Sequence, residues 1–503
     1  MTRALVGRLA KAVRDRWLAC DSTAAVALLL LPPAVCYYAF LLTGAGGSGL
    51  FAPVTYGLTF NSMLLHLLQG RFDVDPAAIG YEGFVRDGAV YAYFGMFPAL
   101  FRALFLPLSN FATTDFTRLS CLVADGLMAL FKVLSALLVW RKADAPGRTA
   151  LLSLVLVVIL MSGPQIQFLR PSIYEEILLW ADAFAAAFVF LILRGWAREE
   201  GFTAATMAAL AIIAGLCLMT RVTTALGLYL ALGFILLWHG WQEIRKARIS
   251  RQSPNLRPLL FPLLILLAFA AATASINKQR WGNPLVFVDL DRTLMRVVNA
   301  NRSMPLHDYG EFNPVRLGYG LLYYFVPVWV LRDDSGQLLW SGFVRRAMDT
   351  VELPPSSFLV SDPLLLGVAL YGVVRLVRGS AIPRRAPIVL AAVGLLVPIV
   401  LMLIAIVMAF RYRMEFYPLF ELCGFVGLWL LLTAPSRRFE PVVGGAALAS
   451  IFAAHFFWLL YMLSPFGSAD ERMGQSSIVG FYGSLLQQAP QAHDAGQPEQ
   501  SRF

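Results

Sequence analysis

Four carboxylates fall within fifteen residues of this chain, Asp73, Asp75, Glu82 and Asp87, and Tyr81, Tyr91, Tyr93 and Phe94 are interleaved with or follow them. A second acidic group, Glu175-Glu176, comes later. A carboxylate within hydrogen-bond reach of a hydroxyl can take its proton. Clustered acids can also hold a divalent cation. Arginines stand at positions 86, 102, 170, 221, 280, 411 and 413. The planar guanidinium fork grips phosphate oxygens in pairs. Such residues could together move a proton and hold a phosphate. Asp73, Asp75, Glu82 and Asp87 are the candidate catalytic acids, the first two preferred. Arg102, Arg170, Glu175, Glu176, Arg221, Arg411 and Arg413 are the candidate substrate-binding residues. Plainer roles compete. Gly and Asp also build solvated turns, and Arg411-Tyr412-Arg413 also suits snorkelling at a membrane surface. Arg221 sits in a hairpin too tight to expose a loop, which favours a paired or functional role.

Other chemistries find few residues. The five Cys (20, 36, 121, 217, 423) are scattered, without disulfide or CxxC spacing. The five His form no HExxH pair, and no glycine run forms a phosphate loop. A net charge of +10 comes without a recognisable nucleic-acid module, so no nucleic-acid partner is expected.

The elements that must position these residues are membrane helices. The chain is 58% hydrophobic and only 14% charged, with mean hydropathy +0.66. Many uncharged runs approach the ~20 residues that cross a bilayer. The reading is an all-α polytopic membrane protein. A first anchor runs from Ala24 to Leu42. Further spans are 119–139, 150–163, 174–194, 204–219, 223–238, 259–276, 361–377, 388–410, 419–433 and 442–463, about eleven crossings in all. The N-terminus and the loops near 140–149, 194–203, 239–258, 375–387 and 434–441 hold 21 Lys/Arg against 7 Asp/Glu. Short basic loops stay cytoplasmic, which places the N-terminus inside and the C-terminus outside. The first apolar run exceeds the roughly 7–15 residues of a signal-peptide core, so it reads as an uncleaved anchor.

Residues 91–108 are apolar enough to enter the membrane. A crossing there would send the basic Arg141-Lys142 end, and every later basic loop, outside. The segment therefore reads as a re-entrant or juxtamembrane helix on the outer face.

The domain reading follows: a cytoplasmic start (1–23), a membrane module (24–276) with a first outer loop (43–118), an outer lid (277–360), C-terminal helices (361–463) and a flexible tail (464–503) in which 478–486 can dock. An amphipathic stretch, Thr55 to Leu68, opens the way to the acids. The lid carries Asp289, Asp291, Arg292, Arg296, His307, Asp308, Glu311, Arg316 and Arg332. Inside spans stand Asp125, Lys132 and Asp182; a Lys132–Asp182 clamp between helices is expected, and an ion path competes with it.

In order and sidedness the chain resembles the GT-C membrane glycosyltransferases. The resemblance rests on "LLQGRF" (67–72), "YAYFGMFPALFRALFLP" (91–107), Arg118 at the mouth of the next span, "LRPSIYEEILLW" (169–180), "GLCLMTRVTTALGLYLAL" (215–232), "INKQRWGNPLVF" (276–287) and "FRYRMEFYPLF" (410–420). It covers about residues 20–430. Two departures stand out. Residues 50–56 carry no acid where many members place an Asp, and Gly95-Met96-Phe97 precedes Pro98 where many carry an acid. The resemblance implies transfer of a sugar from a polyprenyl-phosphate donor to a glycan, lipid or protein acceptor on the outer side of a bilayer, the bacterial cytoplasmic membrane being the expected one. A divalent cation is a possible cofactor. Competing readings are a transporter or lipid flippase, and a non-catalytic GT-C-like assembly subunit, the latter supported by the missing early Asp.

Overall fold

The computed structural model describes residues 27, 29–44, 46–288, 290, 304–327, 340–351, 357–379, 382–434 and 438–463. The basic N-terminus, Asp289, Asp291, Arg292, Arg296, Arg332 and the tail with 478–486 lie outside the described residues. The apolar runs become helices: α1 (Leu31–Leu42), α2 (Thr59–Leu68), α3 (Phe97–Phe101), α4 (Thr117–Ala143), α5 (Thr149–Met161), α6 (Ile173–Ala197), α7 (Ala204–Leu218), α8 (Val222–Ser250), α9 (Arg257–Trp281), α10 (Leu317–Phe325), α11 (Pro363–Val377), α12 (Arg385–Leu403), α13 (Tyr417–Thr433) and α14 (Glu440–Leu463). Among the described residues, eight helical stretches are long and apolar enough to cross a membrane. They comprise α4, α6, α8, α9, α12 and α14, α5 with the turn after it, and α13 with the turn before it. Helices α1, α7 and α11 are apolar but shorter. This is an integral membrane protein built of helices, with two two-stranded pairs as its only sheet among the described residues.

Local chemistry sets the boundaries. Asp144 closes α4 in a left-handed conformation (φ 46°), and Pro146 follows it. Ser172 caps α6, its Oγ accepting the N–H of Tyr174 at 3.2 Å. The most buried span is α6, which packs against α4, α7, α12 and α13. The α11–α13 crossing is closer than side chains allow. A methyl on Gly372 would lie 2.1 Å from the Cys423 carbonyl, and one on Gly427 2.2 Å from the Val368 carbonyl. Small residues admit such backbone contact between membrane helices.

The segment 43–116 caps one end of the bundle, here the loop face; the opposite end, with Arg141, Arg198 and Arg245, is the basic face. The cap has its own core, in which Phe60, Met63, Leu64, Ile79, Phe94 and Phe111 gather over Ile173 and Ile177 of α6. A hairpin of β1 (Phe84–Arg86) and β2 (Ala89–Tyr91) pairs Phe84 with Tyr91. Residues 91–108 then break into α3 and one tight turn, Arg102–Phe105. Neither piece approaches the ~20 residues of a crossing.

Arg102 fixes that turn in place. It is fully buried, with Nη1 2.5 Å and Nη2 2.9 Å from the Glu176 oxygens. It also donates to Asn61 Oδ1 at 2.9 Å and to the Pro98 carbonyl at 3.0 Å, and packs 5.0 Å from the Phe60 ring centroid. One guanidinium thus ties α2, α3 and α6 together. Arg280, in the last turn of α9, does similar work by donating to the Phe94 carbonyl at 2.8 Å. Buried Arg316 gathers the carbonyls of Gly310, Glu311, Ala347 and Ile404. It thereby ties the described part of the lid to Ile404 at the end of α12, and the strand pair β3 (Thr350–Val351) and β4 (Val407–Met408) joins the same two segments.

Candidate functional site

The polar residues meet where the cap, the head of α6, the α7–α8 turn and the turn 410–416 come together. The α7–α8 turn exists because α7 stops at Leu218 and Arg221, in extended backbone, starts α8. Residues 95–97 lie directly on it. The Phe97 N–H donates to the Met219 carbonyl at 2.8 Å, and a methyl on Gly95 would sit 2.3 Å from the Met219 and Thr220 carbonyl oxygens.

Glu415 is the buried anchor. Its Oε1 accepts from Arg221 Nε and from the Thr223 hydroxyl at 2.5 Å; its Oε2 accepts from the Thr224 hydroxyl at 2.7 Å. The Arg221 guanidinium is thereby held 5.1 Å from the Tyr412 ring centroid. Arg411 lies 4.5 Å from the Tyr174 ring and 5.6 Å from the Tyr412 ring. The Glu82 carboxylate lies near enough to the Tyr174 phenol to act on it electrostatically. Burial, and then the Glu82 and Tyr412 groups, push the Tyr93 phenol above its ordinary value, so it stays a neutral donor. Arg411, Tyr412 and Glu82 are half-buried, so the cluster keeps contact with solvent.

The other candidates fall in different places. Asp73 pairs with Arg71 and stands 3.4 Å from His66 Nδ1. Desolvation works against its charge, but the Arg71 hydrogen bond, its own backbone N–H and the charges of His66 and Arg71 win and hold the carboxyl below its ordinary value. Asp75 caps the turn Pro76–Ile79, its Oδ1 accepting the Ala77 N–H at 2.9 Å. Asp87 occupies the hairpin tip with φ 52° and an exposed side chain that pairs with Arg86. Arg170 pairs with Glu175, which also accepts from Ser172. Arg102 and Glu176 form the enclosed pair described above. Arg413 is fully buried, 3.0 Å from Asp362 and 4.1 Å from the Phe358 ring centroid. The structure thus brings Glu82, Glu175, Arg170, Arg221 and Arg411 to one region, and spends Asp75 and Asp87 on turns.

Sequence reasoning missed Glu415, although an acid at the mouth of a span, just after two arginines, is the available signal. It also missed the partner of Lys132. That ammonium is 2.5 Å from Glu421 on α13 and 3.2 Å from Gln165, whereas Asp182 Oδ2 has no hydrogen-bond partner. The expected Lys132–Asp182 clamp is therefore a Lys132–Glu421 clamp. The change arises because α13, not α6, brings its carboxylate against the ammonium. Among the described residues no three His, Cys, Asp or Glu side chains gather at metal-binding spacing.

No family model and no curated protein matches this chain. Among solved structures, the oligosaccharyltransferase of Archaeoglobus fulgidus in its apo form is similar over 90% of this chain and 60% of that one, at 12% identity and a TM-score of 0.45. The same organism's AglB, in complex with an inhibitory peptide and a dolichol-phosphate, covers 90% of this chain and 59% of that one, at 14% identity and a TM-score of 0.42. The chain spans about three fifths of the length of these structures.

Proposed function

We propose that this protein transfers a sugar from a polyprenyl-phosphate donor to an acceptor at the loop face, with that face turned away from the cytoplasm. One observation carries the reading. The half-buried carboxylate Glu82 acts electrostatically on the Tyr174 phenol, and the half-buried guanidinium Arg411 lies 4.5 Å from the ring of the same tyrosine. In this reading Glu82 is the base and Arg411 the phosphate-binding cation. The ordered motifs quoted above support the same class. In the proposed step the acceptor oxygen attacks the anomeric carbon and its proton passes to Glu82. The bond from that carbon to the phosphate oxygen breaks, and the phosphate leaves with the electron pair. Arg411 and Arg221 neutralise the departing charge. Arg102 and Glu176 serve as the staple beneath the site, and Arg170 with Glu175 as its side wall.

The test is transfer of label from a radiolabelled polyprenyl-phosphate hexose into membrane glycan. Glu82→Gln is expected to lower the rate by about 10²–10⁴, and Arg411→Met to lower it too. Asp87→Asn, on the exposed hairpin tip, should leave it unchanged. Full activity of Glu82→Gln would remove this base assignment; no transfer by the unaltered protein would remove the enzyme reading.

A further inference from the structure

One stripe of α8 changes character as it leaves the bundle. Phe234, Trp238, Trp241, Arg245 and Arg248 recur at spacings of three and four, so they share one helix face. The first three, with Leu237 and with Leu390 of α12, line an open groove of about 360 Å³. The two arginines are exposed. Arg245 leans back along the stripe to 5.6 Å from the Trp241 ring centroid, and the Trp241 and Trp238 rings lie 5.3 Å apart. Glu243 is the only acid between 239 and 257, and it pairs with Lys246 at 2.7 Å. That stretch leaves Arg245 and Arg248 without an acid. The neighbouring helices fix the depth. A methyl on Gly394 of α12 would meet the Ala231 backbone nitrogen at 2.3 Å, so nine residues further along this antiparallel pair Gly240 stands level with Arg385, the first residue of α12. Leu259, in the first turn of α9, also lies against Gly240. Residues 241–250 therefore project past the ends of both neighbours. Trp241 falls at the hydrocarbon edge, where indole rings are favoured. At 1.5 Å per residue Arg245 is roughly 6 Å further out, within a headgroup layer about 5–8 Å thick.

We infer that this stripe binds one anionic glycerophospholipid of the basic-face leaflet, an acyl chain lying in the groove and the headgroup phosphate meeting Arg245, with Arg248 one turn beyond. Size and charge both select this occupant. A methylene takes up about as much room as a water molecule, roughly 30 Å³, so the groove accepts about a dozen methylenes, the greater part of one chain. A zwitterionic lipid would bring a cation of its own against the two guanidiniums, whereas an anionic lipid brings only their countercharge. An acidic protein segment would meet the arginines and leave the apolar groove below them unfilled.

The test uses the full chain in nanodiscs of equal parts phosphatidylglycerol and phosphatidylcholine at low salt. A photoactivatable diazirine on the upper acyl chain is carried by the first lipid in one arm and by the second in the other. The ratio of the two labels at residues 234–241 is compared with the ratio at the exposed Leu263–Leu267 surface of α9, which lies at similar depth. Phosphatidylglycerol is expected to be favoured at 234–241 and not at 263–267. Arg245→Gln and Arg248→Gln should each lower that preference by about fivefold, and Arg245→Glu with Arg248→Glu should reverse it. Both side chains are exposed, so the variants should keep the thermal midpoint of the unaltered protein. The inference is overturned if 234–241 takes no label, if its ratio equals that at 263–267, or if the preference survives in the folded double variant.

Discussion

The carboxylates of this protein differ by what surrounds each one. Glu415 sits beneath two threonine hydroxyls and one guanidinium, fully out of solvent. Removing one partner of a buried ion pair strands the other, at about 3–5 kcal/mol. Glu415→Gln is therefore expected to lower thermal stability in detergent, and adding Arg221→Met should recover part of the loss in a double-mutant cycle. Strictly additive losses would show that the two residues do not depend on each other. Asp73 offers a pH-dependent counterpart. Its carboxyl is held below the ordinary value, so the order it lends residues 66–75 is complete above the ordinary aspartate range and is lost as pH falls through its depressed value. Hydrogen exchange across that window should show the cap loosening there before α6 does. Much of this was legible residue by residue. Asp87-Gly88 is a hairpin-turn pair and Asp75-Pro76 a helix-start pair, both readable from chemistry within two positions. The meeting of Glu82 with Tyr174 was not readable, because it depends on how a hairpin lies across a helix head distant in sequence.

At the scale of elements, boundaries were legible wherever a residue dictates them. The helix starts at Pro363 and Tyr417-Pro418 and the stop at Asp144 fall where proline and the left-handed turn require. What the sequence hid was which helices touch. Lys132 was paired by depth along its span, yet depth carries no information about which neighbour faces it, and α13 supplied the acid. The α11–α13 crossing gives a direct test. Gly427→Leu drives a side chain into the Val368 carbonyl. It is expected to destabilise the protein by roughly 1–3 kcal/mol, the usual range for overpacking. Gly445→Leu on α14, where the glycine faces open space, should cost far less. Equal thermal shifts would show that the two helices are not in backbone contact.

For the whole molecule, charge asymmetry and folded shape agree on two unlike faces. One carries the cap with its own small core, and the other carries short basic turns. Single cysteines in a background without native cysteine should report this. Ala77→Cys, exposed on the cap, is expected to react with a membrane-impermeant maleimide on intact cells, and Ala145→Cys only after the membrane is opened. Ready labelling at 145 from outside would invert the proposed orientation.

The Arg102 staple also has a consequence for how the chain is made. Its partner Glu176 lies 74 residues downstream. When residues 91–108 meet the translocon they are therefore a nearly uncharged apolar segment holding an arginine whose counter-ion has not yet been synthesised. At the centre of a nascent helix a charge of that kind opposes insertion by about 2.5–3.5 kcal/mol. Arg102 would thus act twice: first as a veto on partitioning during synthesis, and later as the bolt that docks the excluded segment. Arg102→Leu is expected to let some chains insert 91–108 and emerge with every later loop reversed, seen as a second population in glycosylation mapping. Glu176→Gln, made after that decision is taken, should weaken the fold and leave its orientation single.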